Sequence, residues 1–176
     1  MLALRAPRPA DRPAIERITR ACGLFREDEI PVALEVFDGA VSADRQERVD
    51  GSDPRGGGTE AAPYEALIAD LDGRTAGWIC WGPTPCTLGT WDLYWMAVDP
   101  ALQGGGIGTA LIREMEHRLA GLARMIVVET AGRDDYRATR AFYEARGYRA
   151  VATIPDFYAP GDDQVAYVKY LTSTPQ

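Results

Sequence analysis

Along this chain, apolar residues recur every three or four positions in some stretches and alternate in others, and the switches mark the elements. Leu2 to Ala6 reads as a short strand. Pro7, Pro9, Asp11 and Pro13 punctuate the stretch after it. Asp11 is the expected N-cap of a helix that carries Ala14, Ile15, Ile18 and Cys22 and stops at Gly23. A second helix is expected over about 28–41, with Ile30, Leu34 and Phe37 on one stripe. The polar stretch 43–62 reads as a flexible loop. Its Arg55-Gly56-Gly57-Gly58 is followed by Pro63 and not by a helix start, so it does not read as a phosphate cradle.

From Tyr64 the period shortens to two. Tyr64 to Leu71 and Thr75 to Trp81 flank Asp72-Gly73-Arg74, a hairpin signal, and Pro83 and Pro85 end the second run. In Trp91 to Val98, Asp92, Tyr94, Met96 and Val98 alternate with Leu93, Trp95 and Ala97. A glycine-rich turn then opens a helix with a stripe of Ile107, Leu111, Met115, Leu119 and Leu122. Met125 to Glu129 reads as a buried strand. Residues 136–146 read as a helix with Ala138, Ala141, Phe142 and Ala145 inward and Gly147 just past its end. Tyr148 to Ile154 and Val165 to Leu171 close the chain as strands joined by a loop with Pro155, Pro160 and Gly161, before a frayed tail at 172–176. The expected fold class is α/β: a mixed central sheet of about six or seven strands flanked by about four helices, in one domain spanning 1–176.

A formal net charge of −7 argues against nucleic-acid binding and against a polybasic membrane anchor. No apolar run approaches the roughly 18 residues of a membrane span and the N-terminus lacks a signal-peptide core, so a cytoplasmic protein is expected. Three cysteines, Cys22, Cys80 and Cys86, with no Cys-x-x-Cys, and one histidine, His117, point to neither a disulfide framework nor a metal site.

Chemistry concentrates between Trp91 and Leu122. A glycine turn at a helix N-terminus presents backbone N–H groups that bind phosphate, unless it serves only as a tight turn. A P-loop needs a lysine that Gly108-Thr109 does not carry. The dinucleotide fingerprint fails at its third glycine in both registers, where Thr109 or Leu111 stands.

Gln103-Gly104-Gly105-Gly106-Ile107-Gly108 instead resembles the Gln/Arg-x-x-Gly-x-Gly/Ala signature of the GNAT superfamily of acyl-CoA N-acyltransferases. The flanks Tyr94-Trp95-Met96-Ala97-Val98-Asp99-Pro100 and Arg140-Ala141-Phe142-Tyr143-Glu144-Ala145-Arg146-Gly147-Tyr148 are similar to the family's fourth strand and late helix. The resemblance is specific over about Thr90 to Arg149. It implies acetyl-CoA as cosubstrate, no metal, and transfer of acetyl to a primary amine by direct attack in a ternary complex. A non-catalytic acyl-CoA sensor on the same fold is the alternative.

The resemblance places the cosubstrate on Met96, Ala97 and Val98, on Gln103, Gly104, Gly105, Gly106, Ile107, Gly108 and Thr109, and on Tyr136 and Tyr143. It implies Tyr143 as the acid toward the departing thiolate. Asp92, where the family often has a glutamate, and Glu129 are the rival bases. Tyr136 stands where the family often has an asparagine, so ring packing replaces that contact or the helix sits differently. The acceptor regions it implies are the acidic, aromatic stretches Cys22–Glu29 and Pro155–Asp163, with Phe25, Trp95, Glu129, Phe157 and Tyr158 as contacts for a small amine. A homodimer is also implied, and exposed edge strands would permit it.

Overall fold

The computed structural model describes residues 1–50 and 64–171, with the side chains of 44–50 left out. Its strands are β1 (Leu2–Arg5), β2 (Glu65–Leu71), β3 (Arg74–Pro83), β4 (Thr90–Val98), β5 (Met125–Ala131), β6 (Arg149–Ala159) and β7 (Asp162–Tyr170). Its helices are α1 (Arg12–Ala21), α2 (Glu29–Asp50), α3 (Ile107–Leu119) and α4 (Arg137–Glu144). The strands form one sheet in the order β1-β2-β3-β4-β5-β7-β6. This is the mixed α/β class read from the sequence. The described chain divides into two compact units, Met1–Gly82 with Trp95–His117, and Pro83–Tyr94 with Arg118–Gln176.

In the first unit, β1 and β3 each pair antiparallel with β2. Asp72-Gly73 closes the β2–β3 hairpin with positive φ at both positions, as the primed hairpin turn demands. The core joins Ile15 and Ile18 of α1, Ile30, Leu34 and Phe37 of α2, Ile68 of β2, Trp78 of β3 and Ala97 of β4. Phe37 meets Trp78 edge to face at 6.0 Å. The Trp78 indole N–H donates to Thr19 Oγ1 at 3.1 Å, which satisfies two buried polar groups together.

Asp11 does not cap α1 with its side chain. Its buried carboxylate accepts both arms of the Arg5 guanidinium at 2.7 and 2.8 Å, the Arg8 N–H at 2.8 Å and Thr75 Oγ1 at 3.3 Å. A bidentate charged partner binds a carboxylate more strongly than an orphan amide does. Helix α2 runs nine residues past Val41, so 43–50 is helix and not loop. That stretch is polar, but its Ala, Arg, Gln and Glu are strong helix formers. The remainder of the expected loop, 51–62, and the expected tail, 172–176, lie outside the described residues.

In the second unit, β4 pairs parallel with β5 from Thr90↔Met125 to Leu93↔Val128, and both strands continue beyond that register. β5 and β6 each pair antiparallel with β7. The closing strands are longer than expected, and only Pro160-Gly161 turns between them. Pro155 does not stop β6, because β6 is an edge strand where a missing N–H costs no ladder bond. A register shift between Ile154 and Ala159 absorbs the irregularity.

Helix α4 starts one residue after Tyr136, which ends a short 3₁₀ turn over Asp134–Tyr136. Its inward face differs from the expected one: Ala138, Ala141 and Ala145 are exposed and Tyr143 is buried. A ring buries far more apolar area than a methyl. Arg140 fixes the same face by donating to the carbonyls of Ala131 at 2.6 Å and Arg133 at 3.0 Å. Tyr148 N–H to Tyr143 O and Gly147 N–H to Glu144 O end the helix in a Schellman motif. Leu122 lies past α3 and is exposed, whereas Ile107, Leu111, Met115 and Leu119 are buried as the stripe requires.

Candidate functional site

The first unit holds the end of β4, the glycine turn and the start of α3. Asp99 leaves β4 with its backbone N–H on Ala76 O at 2.9 Å, and its carboxylate caps a 3₁₀ turn over Pro100–Leu102 by accepting from Ala101 N–H at 3.1 Å. Arg17 of α1 and Arg74 of β3 both donate to Asp99 Oδ2, at 3.0 and 3.2 Å. Burial opposes the charged form of this carboxyl, but the bonds from Arg17 and Ala101 and the charge of Arg74 hold it below the usual carboxylate range. Sequence reasoning missed this anchor, because its two arginines lie 82 and 25 residues away in the chain.

Gln103 to Gly106 is exposed. Gly104 and Gly106 adopt φ of +80° and +82°, conformations that an L side chain rarely takes, and a Cβ at either would enter open space. Gly106 O accepts the Ala110 N–H at 2.9 Å, so the helix starts at once after the turn. The first-turn N–H groups of a helix lack intrahelical acceptors, and the helix dipole favours an anion there. Exposed glycines without side chains in front of such donors suit a diphosphate.

Val98 O accepts from Cys22 Sγ at 3.4 Å and from Gln103 Nε2 at 3.4 Å. Burial pushes the Cys22 thiol up, so it stays protonated and able to donate. Ala97 is buried in the core, while Met96 and Val98 are half-buried. Phe25, on the α1–α2 connection, lies 4.9 Å from Trp95 of β4 with rings tilted by 51°.

The second unit holds the ionisable candidates. Asp92 pairs with Val127 across β4 and β5, and Glu129 is two residues beyond Val127, so the two carboxylates share one sheet face. Thr84 Oγ1 donates to Asp92 Oδ2 at 2.7 Å. Partial desolvation, then the charge of Asp92, raises the Glu129 carboxyl above the ordinary glutamate range. Tyr143 is 4% exposed, with Phe142 at 5.4 Å and Tyr148 at 5.5 Å between ring centroids. Burial drives its phenol well up, Tyr136 adds to the shift, and Arg146 opposes it. Arg146 stacks 3.4 Å over Phe142 and donates to Phe142 O at 2.6 Å.

Phe157 and Tyr158 meet edge to face at 5.0 Å near the tip of the β6–β7 hairpin. They belong to a different unit from Phe25 and Trp95. The acidic residues of both expected acceptor stretches are engaged within the protein. Asp156 accepts from Gly161 N–H at 2.6 Å, Asp163 from Asp156 N–H at 3.0 Å, and Asp162 from Arg133 at 3.3 Å. Glu27 accepts from Arg20 at 3.2 Å, Asp28 from Arg26 at 3.1 Å, and Glu29 from Arg26 N–H at 2.6 Å.

A mixed seven-stranded sheet with a glycine turn between β4 and α3 defines an α/β protein. Residues 62–150 match the family described as the acetyltransferase (GNAT) domain. An uncharacterized N-acetyltransferase of Methanocaldococcus jannaschii is 30% identical over 107 residues, a match that covers 58% of this chain and 64% of that relative. The chain therefore aligns with less than two thirds of that relative's length. A crystal structure of a GNAT-family protein from Desulfovibrio desulfuricans is 34% identical, covers 98% of this chain and is covered fully, with a TM-score of 0.81. A Salmonella typhimurium structure solved with acetyl-CoA shares the fold at 16% identity and a TM-score of 0.70, over 100% of this chain and 97% of that one. This chain belongs to the GNAT acetyltransferase family. Among the described residues, no helix is long and apolar enough to cross a membrane, and no group of three or more His, Cys, Asp or Glu side chains could hold a metal ion.

Proposed function

We propose that this chain, working as one domain, transfers acetyl from acetyl-CoA to a primary amine of a small molecule by direct attack in a ternary complex. The observation that carries this reading is the exposed turn Gln103–Gly106, with left-handed backbone at Gly104 and Gly106 ahead of α3. The turn and the first amides of α3 hold the pyrophosphate. The backbone of Met96, Ala97 and Val98 holds the pantetheine arm, and an N–H there polarises the thioester carbonyl as an oxyanion donor.

An alkylamine is mostly protonated at neutral pH and must lose a proton before it attacks. Glu129 takes that proton, directly or through a water. It is the better base of the two carboxylates, because its pKa is raised while Asp92 is held by Thr84. Nitrogen attacks the carbonyl carbon, the C–N bond forms and the C–S bond breaks. Tyr143 donates toward the departing sulfur, and the proton released from nitrogen completes the CoA thiol.

A second reading, an acyl-CoA sensor without turnover, draws on the burial of Tyr143, which leaves its ring little free surface. Calorimetric titration with acetyl-CoA, with NAD and ATP as controls, tests the turn. Selective micromolar binding is expected, and folded protein that ignores acetyl-CoA overturns both readings. Amine-dependent release of free CoA thiol then separates the enzyme from the sensor.

A further inference from the structure

We infer that the amine acceptor carries an aromatic or bulky apolar group, recognised by a patch in the first unit, and that it is not a polycation. The inference rests on the acetyl-transfer reading and names its acceptor class.

Four partly buried side chains, Cys22, Phe25, Tyr64 and Trp95, pack on the margin of the same core cluster. They come from the α1–α2 connection, from the residue before β2 and from β4. Phe25 and Trp95 form a tilted pair at 4.9 Å and both are only half-buried, so ring surface remains for a third apolar group. Gly39 of α2 makes room for the Tyr64 ring, since a Cβ there would lie 3.0 Å from Tyr64 Cδ2. The patch is tied to the end of β4, because Cys22 Sγ donates to Val98 O at 3.4 Å. Val98 is one of the three residues whose backbone is assigned to the pantetheine arm and thioester, so the patch adjoins the strand end where the proposed transfer takes place.

Charge gives a polycation little purchase here. Glu27 and Asp28 accept from Arg20 and Arg26, and their side chains are about three-quarters exposed, where water and salt screen them. Glu29 bonds the Arg26 backbone N–H. Apolar ring contact is what this surface offers to a ligand.

The test compares phenethylamine and tryptamine with ethylamine and spermidine, by acetyl-CoA-dependent thiol release on the full chain. The expected result is a kcat/KM for phenethylamine at least about tenfold above those of ethylamine and spermidine, as about 1.4 kcal/mol of ring burial gives. Phe25→Ala is expected to bring the phenethylamine-to-ethylamine ratio toward one, with the acetyl-CoA KM within about twofold. Phe25→Leu, which keeps apolar volume, is expected to restore part of the ratio and guards against a folding defect in the alanine variant. Preference for spermidine, equal use of ethylamine and phenethylamine, or turnover of ethylamine or spermidine without turnover of either aryl-alkyl amine overturns the acceptor inference alone, whereas acetyl-CoA binding with no turnover of any amine removes the acetyl-transfer reading beneath it. Absence of acetyl-CoA binding likewise removes the reading on which it rests.

Discussion

Tyr143 is buried, its phenol is pushed upward, and it therefore remains protonated across the working pH range. A phenol in that state can donate a hydrogen bond to a leaving thiolate. It does not need to give up its proton until the tetrahedral nitrogen releases one. Tyr143→Phe is expected to lower kcat by roughly 10²-fold, the scale of a lost general acid, with acetyl-CoA affinity unchanged by calorimetry. As the proposed base, Glu129 carries the opposite requirement, since only its ionised form accepts a proton. Its carboxyl is raised, so the acidic limb of the kcat/KM profile is expected above the ordinary glutamate range, with activity falling as pH drops through it. Asp92→Asn removes the neighbouring negative charge and should move that limb to lower pH. An unmoved limb in a pH–rate series would assign the base elsewhere.

At the scale of elements, β4 and α3 are joined by the exposed glycine turn that is proposed to hold the pyrophosphate. Gly106 stands at φ +82° with nothing within 4 Å of a built Cβ, so alanine there meets no clash and is opposed by backbone strain alone. Gly106→Ala is expected to cost about 1–2 kcal/mol and to weaken acetyl-CoA binding about tenfold or more. Gly73→Ala in the β2–β3 hairpin is the matched control: φ is +83° and the surrounding space is equally open. It should show a similar drop in thermal stability with unchanged affinity. Equal affinity loss in both variants would trace the effect to general destabilisation and not to the turn.

For the molecule as a whole, the buried Asp11 carboxylate joins β1, the turn before α1, and β3. Burial raises its pKa, but the bonds from Arg5, Arg8 and Thr75 outweigh burial and leave it lowered. A lowered folded pKa means that the unfolded chain binds the proton more readily. The stabilisation is complete above the unfolded value of about 4 and is lost as pH falls through the folded one. Urea unfolding at neutral pH is expected to show Asp11→Asn destabilised by about 2–4 kcal/mol, because Arg5 loses its buried counter-charge. The variant's stability should also fall less steeply than that of the parent as pH drops below the unfolded value of about 4. Saturating acetyl-CoA at about 100 times Kd adds about 2.7 kcal/mol to the folded state, which a thermal melt should register as a rise that NAD does not produce.

The glycine turn, the Asp72-Gly73 hairpin, the Schellman stop at Gly147 and the order of strands and helices were all legible in the chain. Each depends on residues adjacent in sequence, where Gly and Pro act directly on backbone conformation. The strand that leads into the glycine turn was legible for the same reason. Other features depend on which surfaces meet, and these only the tertiary structure decided. The alanines of α4 match a helical stripe, yet the helix turns Tyr143 inward, because Arg140 bonds the carbonyls of Ala131 and Arg133 and the ring has more area to bury. Polar 43–50 continues α2. The β6–β7 hairpin runs through Pro155, because an edge strand does not need that N–H. The acidic stretches look like lures for a cation until Arg20, Arg26 and Arg133 are seen to occupy Glu27, Asp28 and Asp162. A run of residues declares its charge and its turns, but it does not declare its partners. Pairing depends on register and packing between segments tens of residues apart.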